Sequence, residues 1–372
     1  MDTLRGEPVD RPAVSFYEIN GFDRDQNPDG SDPFNIYSDP SWRPLMKLAR
    51  EHTDLILRRP PPLVDRPPSP SAAVSDTQVA WRDGCRVVTT TMRAGGRRLT
   101  SRTRQDPDIN TVWTEEHLLK TIEDVEAFLD LPRPLPGGRV DTAVITDLED
   151  ELGDAGIVML DTADPLCEAA SRFSMEDYTV IAMTEPSLFH RLLERFAEVL
   201  IPATEAAAAA LPGRLWRIFG PEYASPPYLP PALFREYVCR YTGPMVAAIR
   251  RYGGYPRLHC HGNLRRILDD MASMGIAGLD PIEPPPQGDV ELAYVRERYG
   301  KHWVLFGNLE ASDIENLPTN LFADKIDRAL REGTAGDGRG FVLMPSACPY
   351  GRHLSALAMK NYEKMVEMVE AL

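Results

Sequence analysis

From about residue 156 onward, short apolar runs alternate with longer stretches whose apolar residues recur every three to four positions. The short runs predict strands over residues 157–160, 215–219, 257–261, 278–282, 303–306 and 341–344. The longer ones predict helices over 174–183, 186–210, 231–252, 264–274, 290–299, 323–331 and 355–372. Pro186 in a first turn and a polyalanine end both favour the helix over 186–210. Gly275, Gly300 and Gly333 close three of the others. Strand–helix alternation of this kind marks parallel βαβ units.

The first 150 residues are less regular. Residues 13–19 read as a buried strand, 41–52 as a helix and 55–57 as a short second strand. Residues 78–91 and 98–104 read as a hairpin turning at Gly95-Gly96, and 115–131 as a helix that ends at Pro132. The run Pro60-Pro61-Pro62-Leu63-Val64-Asp65-Arg66-Pro67-Pro68-Ser69-Pro70 reads as an extended surface connection. Counting 13–19 and 55–57, the strands number eight, which predicts a single (β/α)8 TIM barrel over residues 1–372. An irregular N-terminal and β-hairpin extension, roughly residues 60–135, is inserted in or flanks it. The rival, an open doubly wound sheet, lacks a G-x-G-x-x-G turn after any strand.

Composition narrows the function. Hydrophobic residues at 43% and charged residues at 26% exclude wholesale disorder. A net charge of -15 argues against a nucleic-acid surface, where cations must neutralise phosphates. No apolar run reaches the roughly 20 residues of a membrane span, and Met1–Glu7 lacks a signal-peptide layout. The five cysteines, scattered and odd in number, form no disulfide framework. The expectation is a cytoplasmic protein without nucleic-acid or membrane partners.

In a barrel, reactive side chains belong just beyond the strand ends. Glu18, Asp161, Glu222, Glu283, Asn308, Glu310 and Cys348 all fall there, as do His259 and His261. Residues two apart on a strand point the same way, so His259 and His261 can reach one ion while Cys260 faces the helices. Glu283 lies one strand–helix–strand step further on, and Cys348 follows the eighth strand. Two imidazoles, a carboxylate and a thiolate suit zinc. The bland reading, hydrogen-bonded mouth histidines and a small buried cysteine, stays open on spacing alone.

With these residues in hand, the chain resembles the uroporphyrinogen decarboxylase superfamily, especially its branch of cobalamin-linked zinc methyltransferases. The resemblance rests on Arg11-Pro12-Ala13-Val14, Asp164-Pro165-Leu166, His259-Cys260-His261-Gly262-Asn263, Asp280-Pro281-Ile282-Glu283-Pro284, Phe306-Gly307-Asn308 and Asn361-Tyr362. It implies a barrel and a zinc held by His259, His261, Glu283 and Cys348. In that branch His-x-Cys is usual, so His261 stands where a cysteine is expected. Losing one anionic ligand makes zinc a better Lewis acid and a bound thiolate a weaker nucleophile. That puts thiol methylation in doubt and leaves demethylation of a methoxy or similar donor toward a corrinoid open.

The expectation is a zinc-dependent enzyme moving a methyl group between a methylated small molecule and a corrinoid or thiol acceptor. Zinc, and a corrinoid carried by a partner protein, are the implied cofactors, and relatives often pair as homodimers. Glu222 and Asp161 are candidate catalytic carboxylates; Glu18, Tyr223 and Asn308 are candidate substrate contacts. One alternative is a metal-free decarboxylase of uroporphyrinogen or a related carboxylic acid. Against it, Phe16–Arg24 carries Glu18 where that branch has a basic clamp, and Glu18, Asp161, Glu222 and Glu283 suggest an acidic mouth. Another alternative is a barrel that binds a small molecule or a corrinoid protein without turnover.

Overall fold

A computed structural model of the chain describes residues 1–19, 23, 32–66, 69, 71–134, 137–336 and 340–372. Eight parallel strands form the barrel: β1 (Ala13–Val14), β2 (Leu55–Arg59), β3 (Gly156–Ala163), β4 (Leu215–Phe219), β5 (Tyr255–His259), β6 (Gly278–Asp280), β7 (Val304–Leu309) and β8 (Phe341–Pro345). Each pairs with its chain neighbour, and β8 returns to β1. At the remaining seam, the Asp54 amide donates to the Val14 carbonyl at 2.7 Å. The Val14 amide donates to the Asp54 carboxylate at 2.9 Å. A (β/α)8 barrel is therefore present, with helices laid against its outer face. No helix among the described residues is long and apolar enough to cross a membrane.

Several elements differ from the sequence reading. β1 is only two residues long, because the chain leaves the sheet at Ser15 and places Tyr17 and Glu18 beyond it. Residues 78–91 are not one strand. Asp83 and Gly84, both at positive φ, turn the chain between Ser75–Arg82 and Cys85–Ala94. With Arg97–Gln105 and Val112–Glu116 these make a four-stranded antiparallel sheet between β2 and β3. The helix expected over 115–131 is confined to Ile122–Leu129, capped by the Thr121 side chain accepting from the Asp124 amide. In the proline-rich run, Leu63–Val64 pairs with Arg139–Val140; Pro67, Pro68 and Pro70 lie outside the described residues. β5 ends at His259, so His261 belongs to the following loop.

Asp164 begins the helix Pro165–Ala170. Its carboxylate accepts from the Cys167 amide at 2.7 Å and from the Thr242 hydroxyl at 2.9 Å. It is fully buried, and burial, with Glu222 and Glu168 nearby, pushes its pKa up to about 7 despite those bonds. Unfolded, the group titrates near 3.9. Between these values the folded chain holds a proton that the unfolded chain has released, so stability falls as pH rises from about 4 to about 7. Asp164→Asn removes the charge while its oxygen still accepts from the Cys167 amide and its NH2 can donate to the Thr242 hydroxyl. Denaturant midpoints across this pH range are expected to flatten in that variant, whereas Asp164→Ala loses about 1–2 kcal/mol with the cap.

Candidate functional site

His259 ends β5 directly beside Asp280, which ends β6 in register with it. Both side chains point into the barrel. His259 Nδ1 lies 2.7 Å from Asp280 Oδ2, which also accepts from the Tyr17 hydroxyl at 2.8 Å. Beneath them Arg257, two residues back on the same face, brings its Nε to 3.1 Å from Asp280 Oδ1. Arg257 and Asp280 are wholly buried. The guanidinium lies between the rings of Tyr17 and Phe306, 4.6 and 4.5 Å from their centroids. Gly278 makes this fit possible: a Cβ there would stand 3.0 Å from the Phe306 ring and 2.9 Å from the Val304 carbonyl. Burial alone would raise the Asp280 pKa, but Arg257 and His259 hold it well below the usual carboxylate range.

His261 meets this group from the loop. Its Nε2 is 3.1 Å from His259 Nε2, with the rings nearly perpendicular. Its Nδ1 is 2.8 Å from Glu283 Oε1, while Glu283 Oε2 accepts from the Gly262 amide at 3.1 Å. Gly262, at φ +92°, makes the turn, and a Cβ there would press on Ser225 Oγ at 2.9 Å. Burial opposes a charge on His261, but Glu283 raises its pKa to about 9. Burial also acts on Glu283, and His261 reverses the effect, lowering its pKa below the ordinary value.

A third set faces the imidazoles. Arg217 on β4 forms a two-pronged ion pair with Asp161 on β3, at 2.7 and 2.9 Å, and reaches Glu18 at 3.1 Å. Arg58 approaches Glu18 at 3.9 Å. Burial would raise the Glu18 pKa; Arg217 and Arg58 outweigh it and lower the value. Glu18 and Asp161 are thus neutralised, which corrects the acidic-mouth argument against carboxylate substrates: two of its four charges are spent on arginines. Asn20, Gly21, Phe22 and Arg24, from the stretch compared with the basic clamp, lie outside the described residues.

Cys348 follows β8 and is nearly buried. Its Sγ is 3.3 Å from the Tyr37 hydroxyl and 3.2 Å from the Pro349 carbonyl, and burial pushes its pKa up to about 12. Glu222 accepts from the Gly220 amide, and Tyr223 packs edge-on against Tyr178. Asn308 and Glu310 line a pocket of ≈ 130 Å³ beside Pro284 and Pro285. Burial and the neighbouring Glu283 push Glu310 up to about 7.

The structure joins His259, His261 and Glu283, places Glu18 beside His259, and holds Cys348 on Tyr37. Among the described residues, the set whose ligand atoms all lie within 4.8 Å of one another is Glu18, His259 and Asp280. The sequence reading missed Tyr17, Arg217, Arg257 and Asp280. Of these, Arg257 carried a positional signal: it precedes His259 by two, hence shares its face of the strand.

Among the described residues, Glu18, His259 and Asp280 converge closely enough to hold a cation, whereas the set expected from the sequence, His259, His261, Glu283 and Cys348, does not converge to that degree. Each imidazole has one nitrogen against a carboxylate. With its pKa near 9, His261 is protonated on both nitrogens near neutral pH, so its Nε2–H can donate to His259 Nε2 at 3.1 Å, and a cation bound between the two would have to displace that proton.

A family model described as uroporphyrinogen decarboxylase (URO-D) matches residues 115–372. No curated protein matches the chain in sequence. Among solved structures, the chain is similar to a methyltransferase from Methanosarcina mazei. That match has a TM-score of 0.60 and 17% identity, and covers 100% of this chain and 96% of the other. At this identity the likeness speaks to the fold. A structure described as a fructose-1,6-biphosphate aldolase from Coccidioides immitis matches at a TM-score of 0.29 and 11% identity, covering 62% of this chain and 78% of that one.

Proposed function

The chain belongs to the uroporphyrinogen decarboxylase family, and on that premise we propose that it is a zinc-dependent methyltransferase. It would move a methyl group between a methylated small molecule and a corrinoid or thiol acceptor. The observation that supports this most is the facing pair of carboxylate-backed imidazoles, His259 and His261. Cys348 and Glu283 complete the proposed ligand set. Glu283 serves His261 from behind in this structure, and binding the ion directly would require it to release the Gly262 amide. Bound there, zinc would supply a Lewis acid that polarises a methyl-bearing heteroatom.

The chain's own groups do the rest. Arg217, fixed by Asp161 and Glu18, presents a buried cation beside the site. Asn308 and Tyr223 are proposed to orient the substrate. Glu222 and Glu310 are the proposed proton carriers, and Glu310, with a pKa of about 7, holds a proton in about half the molecules near neutral pH. In the transfer, the bond from the methyl carbon to its heteroatom breaks and the acceptor's electron pair takes the methyl. The released heteroatom then takes the proton.

The test is a screen of methoxy, methylamine and methylthioether donors with reduced free cobalamin, read by absorbance for methylated cobalamin. Product formation that a chelator abolishes and added zinc restores supports the reading. Carbon dioxide release from a carboxylic substrate, indifferent to the chelator, would replace it with a metal-free decarboxylase. Tight binding with no product from any pair would replace it with a binding barrel.

A further inference from the structure

The four-stranded sheet ends in an open edge. Ser75–Arg82 pairs with Cys85–Ala94 on one side, from Ser75↔Met92 to Arg82↔Cys85. Among the described residues, its backbone makes one other hydrogen bond, at its first residue, where the Ser75 amide donates to the Ala72 carbonyl. Residues 76–82 are all exposed; Val79 is 58% and Trp81 63% accessible, high values for large apolar side chains. Natural edges are usually guarded by proline, lysine, a bulge or a covering segment. This strand contains neither proline nor lysine, and its ladder is unbroken over eight residues.

Its sequence is self-complementary when read antiparallel. With Val79 opposite the Val79 of a second copy, Gln78 faces Ala80, Thr77 faces Trp81, and Asp76 faces Arg82, each pair occurring twice. Among the described residues of its own chain, Arg82 has no carboxylate partner, and the Asp76 carboxylate accepts a hydrogen bond from the Gln78 amide group. Shifting the register by one residue either way separates both charge pairs. Side chains directly opposite share a face, so the two Asp76–Arg82 pairs lie on one face and Val79, Thr77 and Trp81 on the other.

We propose that Ser75–Arg82 is a homodimer edge, pairing antiparallel with the same strand of a second copy across a two-fold axis. The result is one eight-stranded sheet in the dimer. A two-fold contact uses the same patch on both subunits, which is the property this strand's order of residues has. The pairing uses the same edge strand of both copies, so this contact closes on itself at two copies instead of running on as a filament. The backbone ladder and the apolar face supply the attraction, and the charge pairs set the register, since exposed ion pairs are worth only about 0.2–1 kcal/mol each.

Sedimentation velocity over a wide protein concentration range tests this on the full chain. The wild type is expected to pass from monomer to dimer. Asp76→Arg places like charges opposite each other twice and is expected to weaken the dimer at least ~10-fold. Adding Arg82→Asp restores opposite charges and is expected to recover it. Val79→Lys sets two ammonium groups on the axis and should give monomer. Far-ultraviolet circular dichroism and unfolding midpoints of these surface variants check that each is folded. A wild type that stays monomeric throughout overturns the proposal. So does a dimer that Asp76→Arg and Val79→Lys leave unchanged, or one that the double charge swap fails to restore.

Discussion

Replacing His259 with alanine is expected to reduce zinc affinity more than ~100-fold while leaving the barrel folded. Loss of an outer partner of a ligating histidine alone costs ~10–100-fold, and here a donor itself is removed. His259 contributes one of the two facing Nε2 atoms, so its loss also removes the imidazole that faces His261. His261→Ala should behave alike. Equilibrium dialysis with a competing chelator reads the affinity, and circular dichroism confirms the fold. Retained affinity in both variants would remove the imidazole pair as the centre of the site.

Asp280→Ala is expected to cost about 3–5 kcal/mol of stability, the range for leaving one partner of a buried ion pair uncompensated. Arg257 would stay fully buried with its counter-charge gone and only the Tyr17 and Phe306 rings against it. Because apolar replacement of a whole buried pair is often neutral or better, adding Arg257→Leu should recover much of that loss. Zinc affinity should not recover, since His259 Nδ1 still lacks its carboxylate. Chemical denaturation and dialysis on the same samples separate the two effects. If metal affinity returned along with stability, Asp280 would be only a counter-ion for Arg257.

The barrel was legible because its second half repeats one pattern. The helix Pro186–Ala210 and the strand Leu215–Phe219 have the bounds read from apolar spacing, with Pro186 marking the helix start. The extension was harder. Asp83-Gly84 is a two-residue hairpin turn of a favoured type, but Val79 and Trp81 before it and the β-branched run Val87–Thr91 after it make 78–91 read as one strand. Val112–Glu116 carries apolar residues compatible with a helix, but its pairing with Arg97–Gln105 decides otherwise.

The site divides along a similar line. His259, His261 and Glu283 could be found from spacing, since their elements are local. Asp280 could not, because its importance comes from lying beside His259 across β5 and β6, a register that no single segment encodes. Arg217, Arg257 and Tyr17 read as ordinary polar or aromatic positions until the barrel closes and stacks both guanidinium groups near one ring. Cys348 was placed by its position after β8. Its contact with Tyr37, itself in the irregular N-terminal part, depends on packing that apolar spacing does not foretell.

The central claim is the proposed zinc held by His259, His261, Glu283 and Cys348 inside the barrel mouth. Zinc K-edge X-ray absorption on the metal-loaded protein tests it most directly. The account predicts two imidazole nitrogens at about 2.0–2.1 Å and one sulfur at about 2.3 Å, with the sulfur shell lost in Cys348→Ser. A zinc shell of oxygen and nitrogen alone in the wild type, or a sulfur shell that survives Cys348→Ser, would contradict it.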